Sequence, residues 1–162
     1  EVGDLGFPVF RTMGGVMGMC LCNDRRWPET WRVMGMQDVD IVMLGYNTPV
    51  YNSIAAESPH LRMFHNHISM QAGAYQNGTW AVGTAKAGME GGVDMMAGSC
   101  IIAPTGEIVA LATTAEDEVI VAECDLDRGR YIRDTVFNFA QHRRIEAYGV
   151  ITERTEAIAP PE

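Results

Sequence analysis

Short apolar runs alternate with stretches of helical period through the first half of the chain, and strand-like runs dominate the second half. Residues 7–11 and 15–21 read as strands, with Gly14-Gly15 supplying the turn between them. Pro28 suits a first helical turn and Glu29 complements its positive end, and Trp27, Trp31 and Met34 then recur at i, i+4, i+7, so a helix is expected over 28–37. Residues 40–44 form a buried strand that ends at Gly45-Tyr46-Asn47-Thr48-Pro49. Strand, helix, strand is a βαβ unit, and both polar segments that end its strands fall where open α/β sheets bind ligands.

A second helix is expected over 60–77, with Leu61, Phe64, Ile68 and Tyr75 close to helical spacing and Gly78 closing it. After it come a strand over 80–87, a glycine-rich loop at 88–92, and strands at 99–103 and 108–112. Pro104-Thr105-Gly106-Glu107 makes that last pair a hairpin. A further strand is read over 119–125 and a helix capped by Asp127 over 128–137. The globular portion is assigned to 1–148, and 149–162, with Pro160-Pro161, to an extended tail. The class is α/β (α+β).

Composition sharpens this reading. With 162 residues, 47% hydrophobic and 20% charged, the chain has the make-up of one domain with a genuine core. Lys and Arg number 12 against 21 Asp and Glu, a net charge of -9, so the electrostatic footprint of a nucleic-acid or anionic-membrane partner is missing. No run approaches the roughly 20 apolar residues that span a bilayer, and the basic-then-apolar pattern of a signal peptide is absent. A cytoplasmic protein is the expectation. The four cysteines, Cys20, Cys22, Cys100 and Cys124, are read as reduced, because their settings are strand-like and Cys20 and Cys22 stand two apart.

Candidate chemistry gathers at Cys22. An apolar strand gives way there to Asn23-Asp24-Arg25-Arg26, which puts the thiol at a polar rim beside two guanidinium groups and a helix start. The alternative is a second buried cysteine at a strand end, the reading Cys20 keeps. A nucleophilic thiol needs an oxyanion stabiliser, for which the Asn23 backbone N–H is a candidate, and a base, for which no nearby residue stands out. Arg25 and Arg26 fit a substrate carboxylate by their planar forks, or else form structural ion pairs with Asp24 and Glu29. Asn47 and Thr48 offer neutral hydrogen bonds from the neighbouring strand end.

His65 and His67 point about 200° apart on a helix and cannot share a metal ion, so they read as structural. Cys20-Leu21-Cys22 lacks a second ligand pair, and Lys86, the only lysine, reads as a surface or ion-paired residue. The many methionines read as packing material. Neither a metal nor a cofactor is implied.

The run Cys22-Asn23-Asp24-Arg25-Arg26-Trp27-Pro28-Glu29 closely resembles the cysteine motif of the nitrilase, or carbon-nitrogen hydrolase, superfamily. The paired arginines, Gly45 to Pro49, Ser69-Met70-Gln71-Ala72-Gly73, Gln76-Asn77-Gly78, Lys86-Ala87-Gly88-Met89-Glu90 and the run 104–110 are most similar to its N-carbamoyl-D-amino acid amidohydrolase branch. The similarity runs from about Gly3 to Tyr148. It implies the C-terminal half of a four-layer αββα sandwich, supplying part of each sheet.

The resemblance further implies that Cys22 attacks the carbamoyl carbon, that Asn23 contributes to the oxyanion hole, and that Arg25, Arg26, Asn47 and Thr48 hold the substrate carboxylate. The catalytic Glu and Lys of the family precede the cysteine by far more than 21 residues. They are therefore expected on an N-terminal half outside this chain, which alone would be inactive, and a homodimer or homotetramer is expected. Alternatives are another nitrilase-family amidase or ureidopropionase, and a non-catalytic fold fragment or interaction subunit whose cysteine is inert.

Overall fold

In the computed structural model, which describes residues 3–51 and 57–161, six strands form one mixed sheet. β1 (Val9–Thr12) and β2 (Gly15–Leu21) pair antiparallel. Met13 and Gly14 between them have φ of 52° and 82°, and two positive φ angles in a two-residue loop match the right-handed twist of the flanking strands. α1 (Pro28–Gly35) crosses to β3 (Ile41–Tyr46), and α2 (Pro59–Asn77) crosses to β4 (Trp80–Ala85), so β2, β3 and β4 run parallel. A small ribbon, β5 (Met89–Glu90) with β6 (Val93–Asp94), leads to β7 (Cys100–Ile102) and β8 (Ile108–Leu111), which complete the order β1-β2-β3-β4-β7-β8. The long strands all join this one sheet, so among the described residues the expected share of a second large sheet is not present.

Strand alternation sorts the side chains onto two faces. One face carries Val42, Leu44, Tyr46, Ala81, Cys100 and Ile102 and packs on Trp31, Met34, Met70 and Ala74 of the helices. The two helices meet where the indole of Trp31 lies on Gly73: a Cβ there would run into the Trp31 ring. The opposite face is only partly covered, and Met19 and Leu21 remain 63% and 69% exposed on it.

The chain 119–125 covers the Trp80 end of that face without being a strand. Ile120, Ala122 and Cys124 point inward in strand-like alternation, and the Trp80 indole donates to the Asp125 carbonyl at 2.8 Å. The expected alternation is real, but no backbone ladder accompanies it. The helix expected over 128–137 is shorter and differently capped: Asp125, not Asp127, accepts from the Asp127 N–H at the start of a 3₁₀ turn, Leu126–Gly129, which leads into α3 (Arg130–Asp134). α4 (Phe139–His142) and α5 (Gly149–Glu153) follow, so the expected extended tail opens with a helical turn and only then continues as exposed chain.

α2 is turned around relative to its apolar stripe. Leu61, Phe64, Ile68 and Tyr75 are exposed by 40–51%, while Arg62, Asn66, Met70, Gly73, Ala74 and Asn77 face the interior. Arg62 is 3% exposed, and its Nε has no hydrogen-bond partner among the described residues. Trp27, read with Trp31 and Met34 as one stripe, is 58% exposed and only flanks the α1 start. Gly78 closes α2 as expected, with φ of 58°, and the helix starts one residue earlier than expected, at Pro59, where Ser58 caps it by accepting from the Leu61 N–H at 3.3 Å.

The Trp31–Gly73 contact gives a direct test of this packing. Gly73→Ala is expected to overpack the α1–α2 seam and to cost about 1–3 kcal/mol, read as a lowered urea midpoint at unchanged slope. An unchanged midpoint would show that the seam yields freely.

Candidate active site

Cys22 directly follows β2 and opens a 3₁₀ turn, Cys22–Arg26, at the carboxyl end of the parallel strands. Its φ of 49° lies in the left-handed region that a non-glycine side chain occupies only at a cost of order 1–3 kcal/mol. Two contacts hold the turn in that shape. The Asp24 carboxylate reaches back to accept from the Leu21 N–H at 3.0 Å, and the Arg25 guanidinium donates to the Cys22 carbonyl. The strand therefore stops sharply, leaving Cys22 half-buried at the rim with exposed Asn23 and Arg26 beside it.

Arg25 is 1% exposed and binds inward. Its Nε donates to Asn66 Oδ1 at 2.8 Å, its Nη2 donates to Thr48 Oγ1 at 3.0 Å, and its Cζ lies 4.1 Å from the centre of the Tyr46 ring. The Trp31 indole donates to the Arg25 carbonyl at 2.8 Å. Asn66 also donates to the Tyr46 hydroxyl at 3.1 Å, and that hydroxyl donates to the Gly98 carbonyl at 3.3 Å. Five segments thus converge on one cation: the turn after β2, the end of β3, α2, the start of α1 and the loop before β7.

No carboxylate pairs with Arg25 among the described residues. Burial pulls its pKa below the ordinary guanidinium value, and the neighbouring Tyr46 hydroxyl and Cys22 thiol, groups that gain negative charge on ionising, oppose that pull. Burial also pushes the Tyr46 hydroxyl up to about 12, so at neutral pH it is the un-ionised donor that Gly98 requires. Cys20 and Cys100 are raised by burial to about 12, and Cys124 is raised by the same cause.

The expected binding residues divide into two groups. Arg25 and Thr48 come together, but they bond each other in the interior and present no free fork to solvent. Arg26 and Asn23 stand exposed in the turn after β2, and Asn47 stands exposed after β3. Tyr46, Asn66 and Gly98 escaped the sequence reading. The available signal was the polar pair Arg62 and Asn66 at i, i+4 on α2, in the same row as Met70. His65 Nδ1 lies 3.0 Å from Glu57 Oε1 and His67 Nε2 lies 3.4 Å from the Gly98 carbonyl, and no group of three metal-ligating side chains occurs among the described residues. Lys86 is exposed and borders a cavity of about 380 Å³ that is also lined by Glu116, Asp117 and Glu118.

A cysteine held at positive φ on the carboxyl end of a parallel strand, followed by the Asp24-Arg25-Arg26 turn, has a match among known families. The carbon-nitrogen hydrolase family model matches residues 1–134. This chain belongs to the carbon-nitrogen hydrolase family. Its relatives include a nitrilase of Pyrococcus abyssi, 30% identical over 91% of this chain and 52% of the relative. They also include an N-carbamoylputrescine amidase of Oryza sativa, 30% identical over 92% of this chain and 51% of the relative.

The crystal structure of a carbon-nitrogen hydrolase from Helicobacter pylori superposes with a TM-score of 0.82 at 26% identity, covering 95% of this chain and 55% of that one. The chain spans about half the length of these relatives. They establish the superfamily and its mixed α/β fold, while the D-carbamoylase branch is not singled out among them.

Labelling and unfolding measurements test the Cys22 turn and the buried arginine behind it. At pH 8, iodoacetamide should alkylate Cys22 ahead of Cys20, Cys100 and Cys124, whose thiols burial keeps protonated, and Cys22→Ala should remove the fast phase in a mass-resolved time course. Arg25→Met should destabilise the protein by several kcal/mol in urea unfolding, since each buried partner it abandons costs about 1–3 kcal/mol. Arg26→Met should leave stability nearly unchanged.

Proposed function

We propose that the protein hydrolyses the carbamoyl group of N-carbamoyl amino acids, with Cys22 as nucleophile and with a catalytic Glu and Lys supplied by an N-terminal half outside this chain. The observation that carries the reading is the placement of Cys22: a half-buried thiol directly after a sharply stopped strand, with Asn23, Arg26 and Asn47 exposed in the segments that follow β2 and β3. The sulfur attacks the carbamoyl carbon, forming a C–S bond and a tetrahedral oxyanion near the Asn23 amide. Collapse breaks the C–N bond to the terminal nitrogen, which leaves as ammonia after taking a proton. Water then cleaves the thioester, restoring the thiol and releasing a carbamate that loses carbon dioxide to give the free amino acid.

The substrate carboxylate is assigned to Arg26 with Asn47. Arg25 and Thr48, bonded to one another, act as positioning residues that fix the turn on which Cys22 and Arg26 sit. The D-configured substrate class comes from the resemblance of the motifs from Gly45 to Ala110 to the D-carbamoylase branch. The same proposal places the protein in the cytoplasm as a homodimer or homotetramer, and the exposed apolar stripe of α2 supports self-association. No helix among the described residues is long and apolar enough to cross a membrane.

A second reading takes an N-carbamoyl amine as substrate, and the 30% identity to an N-carbamoylputrescine amidase favours it. Both readings share the carbamoyl chemistry at Cys22 and differ at Arg26, which would attract a carboxylate and repel a cationic amine.

Ammonia release from N-carbamoyl-D-phenylalanine, its L enantiomer and N-carbamoylputrescine separates these readings. The 162-residue chain alone is expected to be inactive, and the protein joined to its N-terminal half active on the D substrate. Cys22→Ala should lower kcat by roughly 10⁴-fold or more, and Arg26→Met should raise KM for the carboxylated substrate by about 10- to 100-fold. Turnover of N-carbamoylputrescine alone would replace the first reading by the second, and full activity in Cys22→Ala would overturn both.

A further inference from the structure

A cavity of about 500 Å³ lies between the flank of α1 and the C-terminal segment, on a side of the molecule that the catalytic turn does not use. Its lining includes Val33, Phe139, Tyr148 and Ile151 together with two arginines, Arg32 and Arg143. Each is placed against an aromatic ring: Arg32 Cζ is 4.2 Å from the centre of Phe139, and Arg143 Cζ is 5.5 Å from that of Tyr148. Stacking on a ring orients a guanidinium without consuming its N–H donors.

Little else satisfies them. Arg32 donates to the Gln76 carbonyl at 3.2 Å, and Arg143 donates to the Met36 sulfur at 3.2 Å, a weak acceptor. Neither forms an ion pair among the described residues, although acidic residues outnumber basic ones 21 to 12 in the sequence. Among the described residues Glu29 is the one carboxylate lining the cavity and forms no ion pair with either guanidinium, and His142 adds a further titratable side chain to the wall. Partial burial and the like charge of Arg143 both pull the Arg32 pKa below its ordinary value. One anionic group received between the two cations would relieve their repulsion and accept the donors they leave unused.

We infer that this cavity is a binding site for a small organic monocarboxylate with an aromatic or branched apolar body, its carboxylate held by Arg32 and Arg143 and its body against Phe139, Tyr148 and Ile151. The volume lies within the roughly 300–1,000 Å³ of small-molecule sites, and the combination of apolar walls with a few converging polar groups is what such sites present. The site shares no residue with Cys22, Arg26 or Asn47, so it stands or falls independently of the proposed carbamoyl hydrolysis. Pro28 and Glu29 line it as well, which puts an occupant in contact with the start of α1, directly after the catalytic turn.

Isothermal titration with 3-phenylpropionate, set against the neutral 3-phenylpropan-1-ol, tests the site. The carboxylate is expected to bind at one site per chain, and the alcohol at least about tenfold more weakly, as loss of a charge-assisted pair predicts. Arg32→Gln and Arg143→Gln should each weaken the carboxylate about tenfold or more, whereas Arg26→Gln should leave it unchanged. Val33→Trp, which fills the cavity while keeping both cations, should abolish binding and serves if an arginine variant fails to fold. Loss of binding in Arg26→Gln alone would place the ligand in the catalytic site and overturn the inference. So would equal binding of acid and alcohol, unchanged binding in Val33→Trp, or no binding at millimolar ligand.

Discussion

A buried cation with no carboxylate partner among the described residues is expensive, and the architecture around Cys22 follows from satisfying Arg25 without one. Its donors are taken by the Cys22 carbonyl, the Thr48 hydroxyl and the Asn66 amide oxygen, and its face by the Tyr46 ring. Those groups belong to separate elements, so meeting the guanidinium's fixed fork sets where the turn after β2 lies against β3 and α2. The positive φ of Cys22 belongs to the same bargain: the strand must turn abruptly for its last carbonyl to face Arg25. A lysine would carry the same charge but could not reach three acceptors in one plane.

This interior polarity explains why α2 is inverted. Asn66 and Arg62 are drawn inward on the face that also carries Met70 and Ala74, and the helix has no room to bury Leu61, Phe64 and Ile68 as well. The apolar stripe therefore faces out, as do Met19 and Leu21 on the other side of the sheet. Among the described residues the helices cover one face of the sheet, and the 119–125 segment covers the Trp80 end of the other, so apolar surface stays exposed on both sides.

Division of labour between the two arginines is the point at which geometry refines the chemistry. Adjacent in sequence and identical in type, one is buried and the other exposed because a tight 3₁₀ turn sends consecutive side chains in different directions. One is spent on holding the turn, and the other is left exposed beside the thiol. The second arginine pair, Arg32 and Arg143, is separated by more than a hundred residues and is assembled only by the docking of the C-terminal segment on α1.

The sequence by itself determined the βαβ unit, the ends of α2, the hairpin between β7 and β8, and Cys22 with its polar turn, because each is signalled by neighbours: a cap, a proline, a glycine, or an abrupt change from apolar to polar. It also determined the family, since the cysteine motif is contiguous. Tertiary structure alone decided which face of α2 is buried, that residues 119–125 lie extended without a ladder partner, that Arg25 faces inward while Arg26 does not, and that Arg32 meets Arg143. In each case the outcome turned on a partner distant in the chain: an acceptor for a buried donor, a strand edge, or a ring. Local periodicity records how polar a position is, but not which remote group will satisfy it.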